Sequence, residues 1–223
     1  MFLLSMNAVV LGVAYLSGSM PTGYLAGKLF KGIDVRDHGS KSTGATNVLR
    51  TVGKWPAAAV LFVDVLKGAL AIIFARWLCT STHAAAQDAF DLGAVMPWTI
   101  GLAGVSALVG HSKSIWLNFT GGKSVATGLG VLLAISWPVG TGALAAFSVM
   151  LATTRIVSVS SVVATLTAIA LVCGLEQPVA YRLLVIAGGG YVIFRHRTNL
   201  CRFMGGTEPR LGQRTHDAGS NGG

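Results

Sequence analysis

The sequence predicts an all-α, polytopic integral membrane protein with seven transmembrane helices, its amino terminus outside and its carboxyl terminus in the cytoplasm. Three observations lead there. Of 223 residues, 52% are hydrophobic and only 11% charged, whereas ordinary soluble domains carry about 25% charged residues. Asp64 and Lys67 are the charges that lie well inside the long apolar stretches, and nearly all others fall in the gaps between them, as they do when helices cross a bilayer. The third observation is where the lysines and arginines sit, which decides the number of crossings. With no Pro/Ser-rich linker and no room for a separate soluble domain, residues 1–217 read as one membrane domain and residues 218–223, Ala218-Gly-Ser-Asn-Gly-Gly, as a disordered end.

About 20 apolar residues span the roughly 30 Å hydrocarbon core. Phe2 to Leu29 is the first such run, interrupted at Pro21, where neighbouring helices must satisfy the freed backbone groups. No lysine or arginine precedes it, so it reads as a retained helix rather than a cleaved signal peptide. Trp55 to Leu78 and Leu92 to Val109 follow, and Ile156 to Gly174 and Val179 to Phe194 come last. Between them, Val125 to Ala152 is ambiguous, because as one helix it would measure roughly 42 Å. Trp137-Pro138-Val139-Gly140 stands near its middle.

Charge counting separates one helix from two. Six Lys/Arg lie from Lys28 to Lys54, Lys113 and Lys123 follow His111, Arg155 follows the ambiguous piece, and five arginines lie from Arg195 onward. The positive-inside rule keeps all of these on the cytoplasmic side only if Val125 to Ala152 is a hairpin turning at Pro138. The halves are then short, which requires tilt or local thinning of the bilayer. The three cysteines, Cys79, Cys173 and Cys201, show no C-x-x-C spacing and read as small hydrophobes rather than a disulfide or zinc framework.

All the polar, glycine-rich segments fall on the predicted cytoplasmic face. The first runs from Gly39 to Arg50 and offers small residues, the hydroxyls of Ser40, Ser42, Thr43 and Thr46, and a guanidinium. Successive N–H groups, hydroxyls and an arginine suit a phosphate, although a solvated connector has the same composition. The second places Gly121-Gly122-Lys123-Ser124 where a helix begins, so that free N–H groups and an ammonium converge on one anion. It is not a nucleotide P-loop, since Leu117 occupies the position of the first glycine. The third, Arg195 to Glu208, would as helix bring His196, Asn199 and Arg202 to one face, or would simply anchor anionic lipid through Arg197, Arg210 and Arg214. Asp64 and Lys67, three apart, pair with each other on one helix turn. Arg155, with Ser158, Ser160 and Ser161 behind it, either reaches the same pocket or snorkels to the interface. His83 and Asp88 match a His-x4-Asp acyltransferase pattern, but they lie in an alanine-rich connector on the opposite face, away from the glycine segments.

Taken with Ser17 to Tyr24, Asp64-Val65-Leu66-Lys67-Gly68, Gly110-His111 and Thr154-Arg155, these segments resemble, in order and over nearly the whole chain, the PlsY-type bacterial glycerol-3-phosphate acyltransferases. Many members read Gly-Ser-Gly-Asn where this chain reads Gly39-Ser40-Lys41-Ser42, so positions 41 and 42 take no role from the resemblance. It implies transfer of a fatty acyl group from acyl phosphate to the 1-hydroxyl of glycerol 3-phosphate, yielding 1-acylglycerol 3-phosphate and phosphate, the first acylation of phospholipid synthesis. His196, Asn199, Ser40 and Lys123 are then the catalytic positions. Ser40, Thr46, Asn47, Arg50, Lys123, Gly121 and Gly122 bind substrate phosphate, and His111, Arg155, Arg202 and Glu208 support them. An apolar slot between helices would take the acyl chain, at roughly 0.8 kcal/mol per buried CH₂. No metal or other cofactor is called for, because the anhydride is already activated. The implied setting is the bacterial inner membrane with the site facing the cytoplasm, as a monomer among membrane lipids, with no nucleic acid and with coupling to an enzyme that produces acyl phosphate. The competing reading is a multi-span carrier or channel for a phosphate-bearing solute, against which all the glycine segments face one side.

Overall fold

Proline, glycine and the polar connectors decide where helices stop in this chain. The computed structural model describes residues 2–85 and 91–213. Helices α1 (Phe2–Ser19) and α2 (Thr22–Lys31) come from the first apolar run, which breaks at Met20 and Pro21 because proline brings no N–H to the ladder. Gly32 ends α2 in the left-handed region at φ 68°, and its N–H and that of Ile33 bond back to the carbonyls of Lys28 and Gly27. A short α3 (Ala45–Thr51) precedes the long α4 (Lys54–Ala85), and α5 (Leu92–Ser112) starts at Asp91, whose carboxylate accepts from the Ala94 N–H. A 3-10 turn (Ile115–Leu117) leads to α6 (Val125–Ile135), α7 (Trp137–Thr154), α8 (Val157–Gly174), α9 (Val179–Arg195) and α10 (Arg197–Met204).

The ambiguous apolar piece is two helices. The turn falls at Ser136, extended at φ −150°, and Pro138 sits in the first turn of α7, where its missing N–H would have no intrahelical acceptor anyway. The reversal is tight: a Cβ on Gly140 would lie 2.7 Å from the backbone nitrogen of Leu133. Among the described residues, five segments qualify by length and apolarity as membrane crossings, namely residues 3–31, α4, α5, α7 and α8. The remaining two apolar helices are shorter, α9 with 17 residues and α6 with 11.

The packing is that of a protein in lipid. Large side chains such as Leu61, Phe62, Ile73 and Trp77 point outward from α4, while the interior is built from Ala71, Ala75, Ala103, Ala107, Ala143 and Ala168 around Ile72, Ile100 and Val172. In hydrocarbon, close backbone approach rather than exclusion of water drives helix association. Two reciprocal glycine pairs provide it here. A Cβ on Gly18 would meet the Ala107 carbonyl oxygen at 2.1 Å and one on Gly110 the Tyr15 oxygen at 2.2 Å, locking α1 to α5. Gly68 against Thr127 and Gly130 against Val65, at 2.1 and 1.9 Å, lock α4 to α6 in the same way.

Candidate active site

Three connectors at one end of the bundle build the site, and each is held by its own side chains. In residues 33–44, the Asn47 amide donates to the carbonyls of Val35 (2.7 Å) and Ser42 (2.8 Å), and its oxygen accepts from the Ser40 N–H at 2.8 Å. Lys41 lies at φ 54°, a conformation that glycine adopts without strain and that a residue with a Cβ adopts only at a cost. Arg36 forks onto Asp34 and donates to the Leu117 carbonyl and the Thr120 hydroxyl, tying this connector to the second.

The second connector turns at Gly121 and Gly122 against His111. The Gly122 N–H donates to the His111 carbonyl at 3.2 Å, and a Cβ on Gly122 would lie 2.1 Å from His111 Nε2. From the other side the Arg195 guanidinium donates to the Gly122 carbonyl at 3.0 Å. These glycines therefore allow the turn to pack, and they do not line the cavity described below. Ser124 sends its hydroxyl to the Leu108 carbonyl at 2.7 Å instead of capping α6, so the first N–H groups of α6 have no helical acceptor.

The third connector forms a hydrogen-bonded cluster. His196 ends α9 and Asn199 follows on α10, where its amide nitrogen donates to Glu208 Oε1 at 2.7 Å and its oxygen accepts from the Lys123 ammonium. Glu208 also accepts from the Ser158 hydroxyl at 2.9 Å and from Arg202 Nε at 2.8 Å. Burial pushes the Glu208 carboxyl up, but these three donors outweigh it and hold its pKa below the usual carboxylate value. Burial takes His196 down to about 4, against the opposing effect of the Val192 carbonyl, so the ring is neutral near pH 7. Its Nδ1 faces that carbonyl at 2.8 Å and must carry the proton, which leaves Nε2 with its lone pair.

A cavity of about 320 Å³ joins the three connectors. Ser40, Thr46, Arg50, Lys123, His196 and Asn199 line its polar end, with the amino-terminal residues of α3 and α6, so two cationic side chains and two helix N-termini share one space. From there it continues as an apolar slot between α6, α7, α8 and α9. Asp64 lines it too, buried and paired at 2.8 Å with Lys67. The Asp64 carboxylate also accepts from the Thr22 hydroxyl at 2.6 Å and lies 3.6 Å from His111 Nδ1, while Lys67 donates to the Met20 carbonyl. The break at Pro21 thus supplies the partners of the pair.

The profile described as glycerol-3-phosphate acyltransferase matches residues 8–206. The chain belongs to that family. The enzyme is 66% identical over 211 residues to glycerol-3-phosphate acyltransferase 2 of Rhizobium johnstonii, an alignment covering 93% of this chain and 96% of that protein. It is 52% identical over 212 residues to the glycerol-3-phosphate acyltransferase of Acaryochloris marina, covering 93% of each. Among solved structures it is similar to PlsY, an integral membrane glycerol 3-phosphate acyltransferase, in its glycerol 3-phosphate form (TM-score 0.80, 32% identity, 92% of this chain and 96% of that one). The lysophosphatidic acid form of PlsY matches at TM-score 0.77, also at 32% identity, over 92% and 95%. The carrier reading gives way to an acyltransferase in a multi-pass membrane protein.

Within the enzyme, the expected site residues sort by contact. Ser40, Thr46, Asn47, Arg50, His111, Lys123, His196, Asn199 and Glu208 meet at the cavity, although Asn47 spends its polar atoms on the first connector and acts as its brace. Arg202 is 43% exposed and reaches the cavity only through Glu208. Arg155 stands exposed at φ 60° after α7 and does not line the cavity, and its carbonyl accepts from the Leu211 N–H, so it fastens the following segment while Ser158 and Ser161 line the cavity. Arg195, counted among the tail arginines, instead grips the glycine turn, a role that its place at the end of an apolar run does not signal. Of the His-x4-Asp pair, His83 is near the far end of α4 and Asp88 lies outside the described residues.

Burial holds the Lys123 pKa down to about 8, with Glu208 opposing and Arg202, Arg195 and Arg50 adding to the depression. Its cation is present below that pH and lost above it. Because kcat/KM reports the free enzyme, it should fall about tenfold per pH unit above about pH 8. Lys123→Arg, whose guanidinium stays charged, should abolish that limb whatever its absolute rate. An alkaline limb that survives in Lys123→Arg would assign it to another group.

Proposed function

We propose that this enzyme transfers a fatty acyl group from acyl phosphate to the 1-hydroxyl of glycerol 3-phosphate, releasing 1-acylglycerol 3-phosphate and phosphate. The observation that carries the reading is one cavity with a cationic, hydroxyl-lined end and an apolar extension, matched to an acyl chain ending in a phosphate and to a phosphate-bearing acceptor. The solved PlsY forms hold glycerol 3-phosphate and lysophosphatidic acid, the acceptor and product of this reaction. Arg50, Lys123, Ser40 and Thr46 take the phosphates, while neutral His196 offers Nε2 to the acceptor hydroxyl. Asn199, held by Glu208, aims the Lys123 ammonium. The hydroxyl oxygen attacks the acyl carbon, the bond from that carbon to the phosphate oxygen breaks, and the departing phosphate takes the proton. A histidine with a pKa near 4 is a weak base, so it orients the hydroxyl more than it deprotonates it.

Residues 1–217 would act as one domain of seven spans in the bacterial inner membrane, as a monomer, with the cavity mouth toward the cytoplasm, where a soluble enzyme can supply acyl phosphate. The basic connectors that line the mouth support this orientation. In a chain whose own cysteines are replaced by alanine, Arg155→Cys and Arg210→Cys should resist an impermeant thiol reagent applied to intact cells. Labelling of both from outside would overturn the orientation.

Donor choice tests the chemistry. Initial rates with long-chain acyl phosphate should exceed those with acyl-CoA or acyl carrier protein thioester at least about a hundredfold, roughly 2.7 kcal/mol of transition-state stabilisation. A thiolate is a poorer ligand than phosphate for a nest of N–H donors and cations. Comparable rates with palmitoyl-CoA would overturn the acyl-phosphate assignment.

A further inference from the structure

The slot has a floor. Its deepest lining residues, Ala143 on α7, Ala168 on α8 and Leu184 on α9, belong at the same time to the packed core. One turn further along each helix the next inward side chains, Val139, Val172 and Tyr181, are buried in that core and no longer touch the cavity. Three helices thus leave the slot at one level and close it together. Along α8 the distance from Ser158 at the polar end to Ala168 is ten residues, about 15 Å, and from His196 to Leu184 it is twelve, about 18 Å. An extended alkyl chain advances about 1.25 Å per bond, from ordinary carbon–carbon lengths and angles. The slot therefore spans about 12–14 carbon–carbon bonds end to end, a chain of about 13–15 carbons.

We propose that Ala143 and Ala168, backed by Val139, Val172 and Tyr181, set the acyl-chain length this enzyme accepts. The proposal rests on the acyl-phosphate reading above and adds the part of the cavity that selects among donors. Discrimination here is steric. The alternative home of the tail is the bilayer, which is as apolar as the slot, so a chain gains little from burial as such. A tail too long for the floor must instead bend out between helices and lift its carbonyl from the polar end, where misplacement by about 1 Å can cost on the order of a hundredfold in rate. Alanine at positions 143 and 168 leaves the last turn of the slot open, and a leucine there would fill it.

The test is kcat/KM of purified full-length enzyme across saturated acyl phosphates from ten to eighteen carbons. Ala168→Leu should lower the ratio of the sixteen-carbon to the ten-carbon donor at least tenfold and shift the best chain about two to three carbons shorter. Val172→Ala should shift it the other way. Leu166→Ala, on the outward face of α8 at 53% exposure, should leave the profile alone. Each ratio is taken within one variant, so loss of folded protein affects both rates equally and leaves it unchanged. If Ala168→Leu is poorly folded, Ala143→Leu narrows the same level from α7 and should give the same shift. A profile identical to the parent in an active leucine variant overturns the proposal while leaving the donor assignment standing. A parent enzyme inactive with every acyl phosphate overturns the donor assignment and this proposal with it.

Discussion

Lys123→Ala lowers kcat/KM for acyl transfer by roughly a thousandfold, and Arg50→Ala by at least about a hundredfold, in an assay of purified enzyme. The ammonium of Lys123 stands between Asn199 and the polar end of the cavity, where the proposed donor and acceptor would each place a phosphate, so its removal costs more than one charge-assisted hydrogen bond at about 1.5–3 kcal/mol each. Two such losses amount to roughly 4 kcal/mol, or about three powers of ten in rate. Arg50 keeps one contact to protein, the Pro209 carbonyl at 3.5 Å, and lines the cavity with the rest of its fork, so its loss falls mainly on substrate. His83→Ala, nineteen residues beyond Asp64 on α4, should stay near the parent rate. Near-normal turnover in the first two with loss in the third would place the chemistry at the opposite end of the bundle.

The second large effect is on stability. Asp64→Ala strands the Lys67 ammonium inside the bundle, where side-chain exposure is 5% for the lysine and 1% for the aspartate. Breaking a buried pair from one side costs about 3–5 kcal/mol, whereas replacing both members by apolar residues of similar volume is close to neutral. The temperature of half-inactivation in detergent should therefore drop sharply for Asp64→Ala. It should recover in large part for Asp64→Leu combined with Lys67→Met, even though the double variant also loses the Thr22 and Met20 contacts. A double variant no more stable than the single one would show that the pair contributes through some route other than charge neutralisation.

What the sequence could reveal depended on how local the cause was. The break at Pro21, the division of the long apolar piece and the Asp64–Lys67 pairing each follow from a residue's own backbone chemistry or from neighbours within one helix turn, and they are found in the structure. The turn itself came at Ser136 rather than Pro138, because proline is accommodated in the first turn of a helix and the reversal happens just before it. Charge counting put Arg50, Lys123, His196 and Asn199 on one face, but their meeting in one cavity was legible only through resemblance, since they come from α3, the glycine turn and the segment after α9. Glycines 121 and 122 looked like a phosphate cradle because an open backbone and a tight packing contact call for the same residue. Only the position of the His111 ring separates the two. Ser158 carried a faint signal, a hydroxyl spaced three from Ser161 at the start of a helix with no charged residue, but the carboxylate it serves lies fifty residues away.

The reciprocal glycine contacts also bear on how the protein is made. They join α1 to α5 and α4 to α6, helices that are not neighbours in sequence. During synthesis α1 therefore waits for its partner until residue 112 has emerged, and α4 waits until residue 135. Until then, the grooves left by Gly18 and Gly68 face lipid or whatever insertion factor stands beside them. Nascent chains halted before α5 should expose both faces to crosslinkers and to membrane proteases, chains carried past α5 should lose the exposure at Gly18, and chains carried past α6 should lose it at Gly68 as well.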